Sequence, residues 1–208
     1  YYISKLNARI QQLKKDMLSR SKSRLQNFLY REGLVVKFSQ LVDLNSDGRY
    51  DLIAICGKRY QINDRTKRLK LKDEAYKHYY GKANELYLIA WGDTIYGTFY
   101  SKIKISVQPF GVAEFVNALK TGYYMGNGKP QIKVVLHSFP LKSFPSTIHK
   151  QNLYIFSLDG KQLKNVFSYE TYINNIEGNR EKTVQYYYQF KNIKGDQLNE
   201  IVLKKEVK

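Results

Sequence analysis

The most informative pattern in this chain is a run rich in oxygen-bearing side chains that leads directly into an apolar segment: Asp43-Leu-Asn45-Ser-Asp47-Gly48-Arg49-Tyr-Asp51, then Leu52-Ile-Ala-Ile55. Oxygen side chains recur at the first, third, fifth and ninth positions of the run. The glycine at the sixth position permits the sharp turn that brings them together. Ca²⁺ takes roughly six to eight oxygen ligands. We therefore expect a calcium site formed by Asp43, Asn45, Asp47, the backbone carbonyl of Arg49, and Asp51.

Two better-known calcium loops share the first half of this pattern. EF-hand and dockerin-type loops carry an acidic ligand at the twelfth position, where this chain has Ala54. The residues from Leu52 to Cys56 are apolar and partly β-branched, which predicts a buried strand after the loop. The remaining alternative is a hairpin turn without metal. Against it, two carboxylates about 4 Å apart repel by roughly 4 kcal/mol at an effective dielectric constant of about 20, so bringing them together without a cation would be costly.

The segments on either side of the loop extend the pattern. Gly33 and the largely apolar residues up to Val42 precede the loop, and a hydrophobic strand follows it. This order resembles the calcium-binding repeats of FG-GAP and VCBS type, found in integrin-α-like β-propellers and in many bacterial surface proteins. The resemblance implies a mainly β fold, either β-propeller-like or built from partial or open propeller repeats. A β-sandwich is the alternative.

A weaker second copy of the repeat begins at Phe110-Gly111 and ends near Val135. Its four side-chain ligand positions are occupied by Tyr123, Met125, Asn127 and Gln131. Because these positions hold no carboxylate, this copy is expected to bind no metal.

A third copy lies near the C-terminus and places at the same positions Asn192, Lys194, Asp196 and Glu200. We hypothesise that the Lys194 ammonium replaces the calcium ion by pairing with Asp196 or Glu200, since one cation then substitutes for another. A solvated lysine in a surface turn is the alternative. Propeller rings typically have about four to eight blades, so three copies indicate either part of a larger propeller or an open or sandwich-like assembly.

Two further strand pairs are predicted between the copies. Residues 85–91 and 94–99 flank Gly92-Asp93, and residues 152–157 and 162–167 flank a turn that contains Asp159-Gly160. Gly-Asp and Asp-Gly between apolar runs are strong hairpin signals. Residues 186–188, three consecutive tyrosines, are predicted to lie in a strand.

The N-terminal segment has the pattern of a helix. Apolar side chains recur at alternating spacings of three and four: Ile3, Leu6, Ile10, Leu13 and Met17. We predict a helix from residue 3 to about residue 29 that docks on the β domain through Leu25, Phe28 and Leu29; a short coiled-coil seam is the alternative. The predicted organisation is an N-terminal helix over residues 1–31, a candidate membrane-proximal stalk, and a β-rich repeat domain over residues 32–208.

The chain is strongly basic, with 35 Lys and Arg against 18 Asp and Glu and a formal net charge of +17. The densest basic segment interleaves cations with tyrosines, and the residues predicted to bind an anionic polymer are Lys58, Arg59, Tyr60, Arg65, Lys67, Arg68, Lys70, Lys72, Tyr76, Lys77, Tyr79, Tyr80 and Lys82. Such a segment suits single-stranded DNA, because cations neutralise phosphates while bases stack on rings. A cell-envelope polymer or an acidic protein is attracted by the same charges, and a basic proteome background is the alternative explanation.

Known catalytic signatures do not occur in the sequence. His78, His137 and His149 are far apart along the chain and fit no HExxH or Cys/His metal spacing. No GxSxG, GxGxxG or P-loop pattern occurs either. Cys56 is the lone cysteine, so it cannot form an internal disulfide and is expected to be a core thiol.

These patterns predict a non-enzymatic binding module that lies outside the cytoplasm, in the periplasm or at the cell surface, because weak calcium loops require roughly millimolar Ca²⁺. A membrane anchor is expected outside this chain. The most specific version of the prediction is DNA binding in a periplasmic uptake or competence setting. The alternatives are a protein–protein scaffold or adhesion module of the cell envelope, and a carbohydrate-active enzyme or glycan-binding domain.

Overall fold

The computed structural model describes residues 2–30, 32–58, 84–94, 97–108, 112–140, 146–177, 180–196 and 198–208. Within these residues the chain forms one helix and ten strands: α1 Tyr2–Tyr30, β1 Leu34–Val42, β2 Asp51–Lys58, β3 Asn84–Thr94, β4 Gly97–Gln108, β5 Val112–Gly122, β6 Gln131–Pro140, β7 Ser146–Asp159, β8 Gln162–Glu177, β9 Arg180–Lys191 and β10 Glu200–Val207. The prediction of a mainly β fold with an N-terminal helix is confirmed.

The strands form two antiparallel sheets in which hydrogen-bonded neighbours are also neighbours in sequence. Sheet A has the order β1-β2-β3-β4, and sheet B has the order β10-β9-β8-β7-β6-β5. Such up-and-down sheets need only short connections between strands. The two sheets share one hydrophobic core, and the strands that the structure describes do not close into a barrel or a propeller ring.

Strand β2 lies between two layers and is buried on both faces. Ile53 and Ile55 belong to the core that both sheets share, whereas Leu52, Ala54 and Cys56 belong to a second core on the helix side of sheet A. Because successive strand residues point to opposite faces, a strand between two layers has a continuous apolar sequence. The predicted buried strand is therefore confirmed. Burial raises the pKa of the Cys56 thiol to about 12, as expected for a core thiol.

The helix packs on the outer face of sheet A near its C-terminal end. Leu25 and Leu29 are fully buried there, as predicted. Phe28, the third residue predicted to dock, also contacts sheet A, although it lies about 100° around the helix from Leu29. Phe28 is 52% exposed, and its ring contacts Trp91 and Tyr100 at centroid distances of 6.1 and 5.2 Å.

One predicted turn is wrong. Strands β3 and β4 do form a hairpin, but Gly92 and Asp93 lie inside β3, and the chain reverses only after Thr94. Gly92 is needed in the strand for another reason: a Cβ built on it would overlap the Asp51 carboxylate and lie 2.6 Å from the Phe99 ring. A glycine inside a strand thus marks a close approach of another group instead of a turn.

The second predicted hairpin is confirmed. Strands β7 and β8 pair up to Asp159 and Gln162, and the intervening Gly160 has a φ of 58°. Glycine adopts this left-handed conformation without the steric cost of a Cβ. The consecutive tyrosines 186–188 lie in β9, also as predicted.

Candidate functional site

Three hairpin loops of this fold share a backbone arrangement. We name them loop 1 (residues 43–51), loop 2 (residues 123–131) and loop 3 (residues 192–200). In each, the residue before the loop pairs with the ninth loop residue: Val42 with Asp51, Gly122 with Gln131, and Lys191 with Glu200. The fourth loop residue has a positive φ each time: 58° at Ser46, 69° at Gly126 and 75° at Gly195.

The fifth residue makes the same hydrogen bond in all three loops. Its side-chain oxygen accepts from the backbone N–H of the seventh residue: Asp47 from Arg49 at 2.9 Å, Asn127 from Lys129 at 3.2 Å, and Asp196 from Leu198 at 3.1 Å. An Asx side chain that binds the backbone two residues on stabilises a turn by itself. The three segments are therefore copies of one loop, whichever residues occupy the ligand positions.

The ninth residue fastens the end of each loop to its beginning. Its side-chain oxygen accepts from a backbone N–H at the second or third loop position: Asp51 from Leu44 at 3.0 Å, Gln131 from Met125 at 3.2 Å, and Glu200 from Ile193 at 2.8 Å. This bond brings the ninth side chain over the centre of the loop in each copy.

The polar side chains of loop 1 are ordered by bonds to its own backbone. Asp43 accepts from the N–H groups of Asp47 at 3.1 Å and Gly48 at 2.9 Å, and the Asn45 amide donates to Asp47 at 3.0 Å. Asp51 is fully buried. In the part of the chain that the structure describes, no three His, Cys, Asp or Glu side chains gather into a metal-binding group. Hydrogen bonds within the loop thus orient three of the predicted ligands, Asp43, Asn45 and Asp47.

Loop 2 places an N–H donor at the loop centre. The Gln131 side chain is fully buried, and its Nε2 donates to Asn127 Oδ1 at 2.6 Å and to the Lys129 carbonyl oxygen at 2.5 Å. These two acceptors stand at the fifth and seventh positions. In loop 1 the same positions hold two predicted calcium ligands, Asp47 and the Arg49 carbonyl.

Loop 1 has the opposite chemistry at the ninth position. Asp51 replaces the glutamine, and an ionised carboxylate only accepts hydrogen bonds. A cation could bind the oxygens of Asp47, Arg49 and Asp51 together. It would then occupy the position in loop 1 that the Gln131 amide occupies in loop 2. Oxygen ligands of carboxylate, amide and carbonyl type are those that Ca²⁺ prefers. The residues of loop 1 therefore fit the predicted ion.

Loop 3 places a lysine beside the ninth residue. Lys194 Nζ lies 3.8 Å from Glu200 Oε1. Of the two hypothesised partners, Asp196 and Glu200, the lysine therefore pairs with Glu200. The Lys194 side chain is 72% exposed. Exposed ion pairs contribute little to the free energy of unfolding, because water and salt screen the attraction between the two charges.

Replacing Lys194 by Met is accordingly expected to lower the free energy of unfolding by less than about 1 kcal/mol. Urea denaturation of both proteins measures the difference. Lys161→Met, at the exposed β7–β8 turn, removes the same charge and serves as the control. A loss of unfolding free energy well above that of Lys161→Met, and above about 1 kcal/mol, would show that the Lys194–Glu200 pair holds the loop as a metal would.

The three loops gather at one end of the two sheets. Asn199 of loop 3 donates to the carbonyl oxygens of Tyr124 and Met125 in loop 2, both at 2.9 Å. Just before the other two loops, Gln40 donates to Thr121 at 3.3 Å. A groove of about 380 Å³ separates loops 2 and 3, and its polar lining includes Asn127, Lys194, Asp196 and Glu200.

A second candidate site lies on the outer face of sheet B. Since Ile132 and Val134 face the shared core, Lys133 and Val135 face outward. Six aromatic rings lie on this outer face in two groups of three, and the contacts within the groups have centroid distances of 5.1 to 6.2 Å. One group is Tyr124, Tyr188 and Phe190, and the other is Phe167, Tyr169 and Tyr186. We name these rings, together with Lys120 and Lys133, the lysine–tyrosine face.

Lys133 lies between two of these rings. Its Nζ is 5.2 Å from the ring centroid of Tyr124 and 5.7 Å from that of Tyr188. Directly opposite on β5 is Lys120. Burial, and next the charge of Lys120, lower the pKa of Lys133. Like charges opposite each other destabilise a sheet.

Neither lysine forms an ion pair with an acidic side chain within the described residues. An anionic group placed between Lys120 and Lys133 would relieve their repulsion. The rings beside them offer flat apolar surface to whatever carries that group. The lysine–tyrosine face is therefore suited to a ligand with both negative charge and planar groups.

The basic segment predicted from the sequence lies almost entirely outside the described residues. Lys58 is described as the last residue of β2. The others lie outside the described residues: Arg59, Tyr60, Arg65, Lys67, Arg68, Lys70, Lys72, Tyr76, Lys77, Tyr79, Tyr80 and Lys82. The dipeptide Phe110-Gly111, where the second copy begins, lies outside them as well.

Two arrangements were missed by reasoning from the sequence. The ligand pattern identifies Gln131 only as a position without a carboxylate, although a glutamine in place of an acid also signals a donor in place of an acceptor. His137 and His149, distant in sequence, have ring centroids 6.2 Å apart because β6 and β7 pair. Burial, and next the charge of His149, lower the pKa of His137.

The chain matches no protein-family model, no curated protein and no solved structure.

Proposed function

We propose that this chain is a non-enzymatic, extracytoplasmic binding module in which loop 1 holds one Ca²⁺ through the predicted ligands Asp43, Asn45, Asp47, the Arg49 carbonyl and Asp51. The observation that supports this is the difference at the ninth loop position. Gln131 supplies N–H donors to the centre of loop 2, whereas Asp51 brings negative charge to the centre of loop 1. The ion would neutralise that charge and hold the loop closed, a structural role. Its need for roughly millimolar calcium favours a compartment outside the cytoplasm.

We further propose that the loop-bearing hairpins are FG-GAP- or VCBS-type repeats in an open array. Sheet A has the four-stranded, up-and-down order of a propeller blade. Strands β5 to β8 repeat that order in sheet B, and β9 and β10 then extend the same sheet. The array is thus a partial propeller in which two blade-like units face each other across one core.

The binding surface of the module is proposed to be the lysine–tyrosine face, and its ligand an anionic polymer. Single-stranded DNA in a periplasmic uptake setting is the most specific candidate, because Lys120 and Lys133 offer cations for phosphates while Tyr124 and Tyr188 offer rings for bases. The net charge of +17 favours the encounter with any polyanion. The basic segment from Lys58 to Lys82 is proposed, on its sequence alone, as a further contact for the same polymer.

Fluorescence polarisation of a labelled oligothymidine of about 16 nucleotides tests this function across a salt series. The chain is expected to bind and to lose affinity as salt rises. Lys133→Gln should lower the slope of log K against log salt by about 0.7, the contribution of one phosphate contact on single strands. Tyr188→Leu keeps an apolar strand residue but removes a ring, and should cost about 1–3 kcal/mol of binding free energy.

Lys161→Gln is the matched control for Lys133→Gln, because it removes the same charge from the exposed β7–β8 turn. It should leave affinity and salt slope within experimental error of the unmodified chain. Absence of binding at low salt would overturn the proposal and favour the scaffold or adhesion alternative. Equal losses in the Lys133 and Lys161 variants would show that attraction is diffuse and that the lysine–tyrosine face is not the site.

A further inference from the structure

The N-terminal part of α1 extends beyond the sheets. Residues 4–13 are all exposed, whereas Leu25 and Leu29 near the other end of the helix are fully buried. Lys14 Nζ lies 5.4 Å from the Tyr50 ring centroid at the end of loop 1. At about 1.5 Å per residue, roughly 18 Å of helix precedes this contact.

An apolar stripe runs along this part of the helix. We name as the helix stripe Leu6 (54% exposed), Ile10 (40%), Leu13 (56%) and Met17 (45%). Spacings of four, three and four residues place these side chains on one side of a helix. The two fully buried residues of the helix, Leu25 and Leu29, lie roughly 100° around the helix axis from this stripe.

The helix around the stripe is basic. Within α1 the basic residues are Lys5, Arg9, Lys14, Lys15, Arg20, Lys22 and Arg24, and the acidic residue is Asp16, which accepts from Gln12 at 2.9 Å. The helical repeat places Arg9 and Arg20 along one border of the stripe and Lys14 along the other. Apolar side chains bordered on both sides by long cationic ones are typical of helices that lie in a membrane interface.

We propose that the helix stripe docks α1 flat on an anionic lipid surface. The four apolar side chains enter the boundary between headgroups and acyl chains, while the bordering cations meet the lipid phosphates. Within the described residues, no helix is long and apolar enough to cross a bilayer. The proposed attachment is therefore along the surface, and it places loop 1 next to the membrane.

Charge and area favour lipid over the other occupants of such a stripe. Four half-exposed aliphatic side chains present much less than the roughly 800 Å² per partner that a stable protein interface buries. Two copies of the helix packed in parallel along this stripe would set Arg9 beside Lys14 of the other copy, which is repulsive. An anionic surface is attracted by both cations and needs no matching groove.

Flotation with vesicles tests the proposal on the whole chain. Vesicles of equal parts phosphatidylcholine and phosphatidylglycerol are expected to carry the protein, and vesicles of phosphatidylcholine alone are expected to leave it behind. The double variant Leu6→Glu with Leu13→Glu should lose roughly tenfold or more of the affinity, because it removes apolar contact and adds charge repulsion. Both sites are exposed, so its melting temperature should stay close to that of the unmodified chain.

The matched control is Ala8→Glu with Ser19→Glu, which adds the same charges on the opposite side of the helix. It should lose much less affinity than the stripe variant, and Lys161→Gln, at the exposed β7–β8 turn, should float as the unmodified chain does. Equal losses in the two double variants, or no flotation with either vesicle, would overturn the proposal. Self-association of the unmodified chain in sedimentation that disappears in the stripe variant, without flotation, would assign the stripe to a second copy instead.

Discussion

Removing calcium from the intact chain is expected to lower its melting temperature by roughly 5–11 °C. A ligand at about a hundredfold excess over its dissociation constant stabilises the folded state by about 2.7 kcal/mol. In a domain of this size each kcal/mol shifts the melting temperature by about 2–4 °C. Thermal melts followed by circular dichroism, with millimolar calcium or with a chelator, measure the shift directly.

Two variants distinguish the two interpretations of loop 1, a calcium-binding loop and a turn without metal. Asp47→Ala removes a proposed ligand and the acceptor for the Arg49 N–H, so in calcium it should melt where the unmodified chain melts in chelator. Asp51→Asn keeps an oxygen for the Leu44 N–H and adds an N–H donor of the kind that Gln131 provides in loop 2. This variant should melt at one temperature with and without chelator.

Asp196→Asn in loop 3 is the matched control, because it makes an equivalent change in a loop that is not proposed to hold calcium. It should leave the calcium-dependent shift unchanged. An unmodified chain that melts at the same temperature in calcium and in chelator would return loop 1 to a metal-free turn. Retained chelator sensitivity in Asp51→Asn would place the ion elsewhere.

Gly92→Ala is expected to lower the free energy of unfolding by about 3 kcal/mol, the upper end of the usual cost of overpacking. The added methyl group would overlap the Asp51 carboxylate and lie 2.6 Å from the Phe99 ring. Asp51 is fully buried and bonded to Leu44, so it has little freedom to move aside. Urea denaturation measures the loss, and the calcium-dependent shift in melting temperature should shrink with it.

Gly57→Ala supplies the comparison within the same sheet. Its added methyl group would meet the end of the Lys37 side chain, which is flexible and can move, so the cost should stay below about 1 kcal/mol. Combining Gly92→Ala with Asp51→Ala should cost less than the sum of the two, because removing the carboxylate relieves the overlap. Equal losses for Gly92→Ala and Gly57→Ala would show that Asp51 does not press against Gly92.

Local patterns predicted those parts of the fold that local chemistry determines. The loop that begins at Asp43, the buried strand after it and the Asp159-Gly160 turn each depend on residues a few positions apart, and each has a recognisable spacing. Gly92 shows the limit of such reasoning. Its pairing partner and its contact with Asp51 depend on the register between β2 and β3, and the same dipeptide is compatible with a turn or with a strand.

The lysine–tyrosine face could not be predicted from the sequence either, because it also depends on the register between strands. Alternation predicts which residues of a strand share a face, but not which residue of the next strand stands opposite. Lys120 stands opposite Lys133 because loop 2 sets the register of β5 and β6, in which Gly122 pairs with Gln131. A loop one residue longer or shorter would shift this register and separate the two cations.

The three loops have different groups at their centres. The parts of the molecule that carry them therefore depend differently on the calcium concentration in solution. In sheet B, the Gln131 amide donates at the centre of loop 2, and the Lys194 ammonium lies beside Glu200 in loop 3. Loop 1 joins β1 and β2, the two strands that carry the helix. If its centre is filled by an ion, the layer that carries the helix becomes more stable as the calcium concentration rises. Because both sheets share one core, the stability of the whole chain would then depend on the calcium concentration around it.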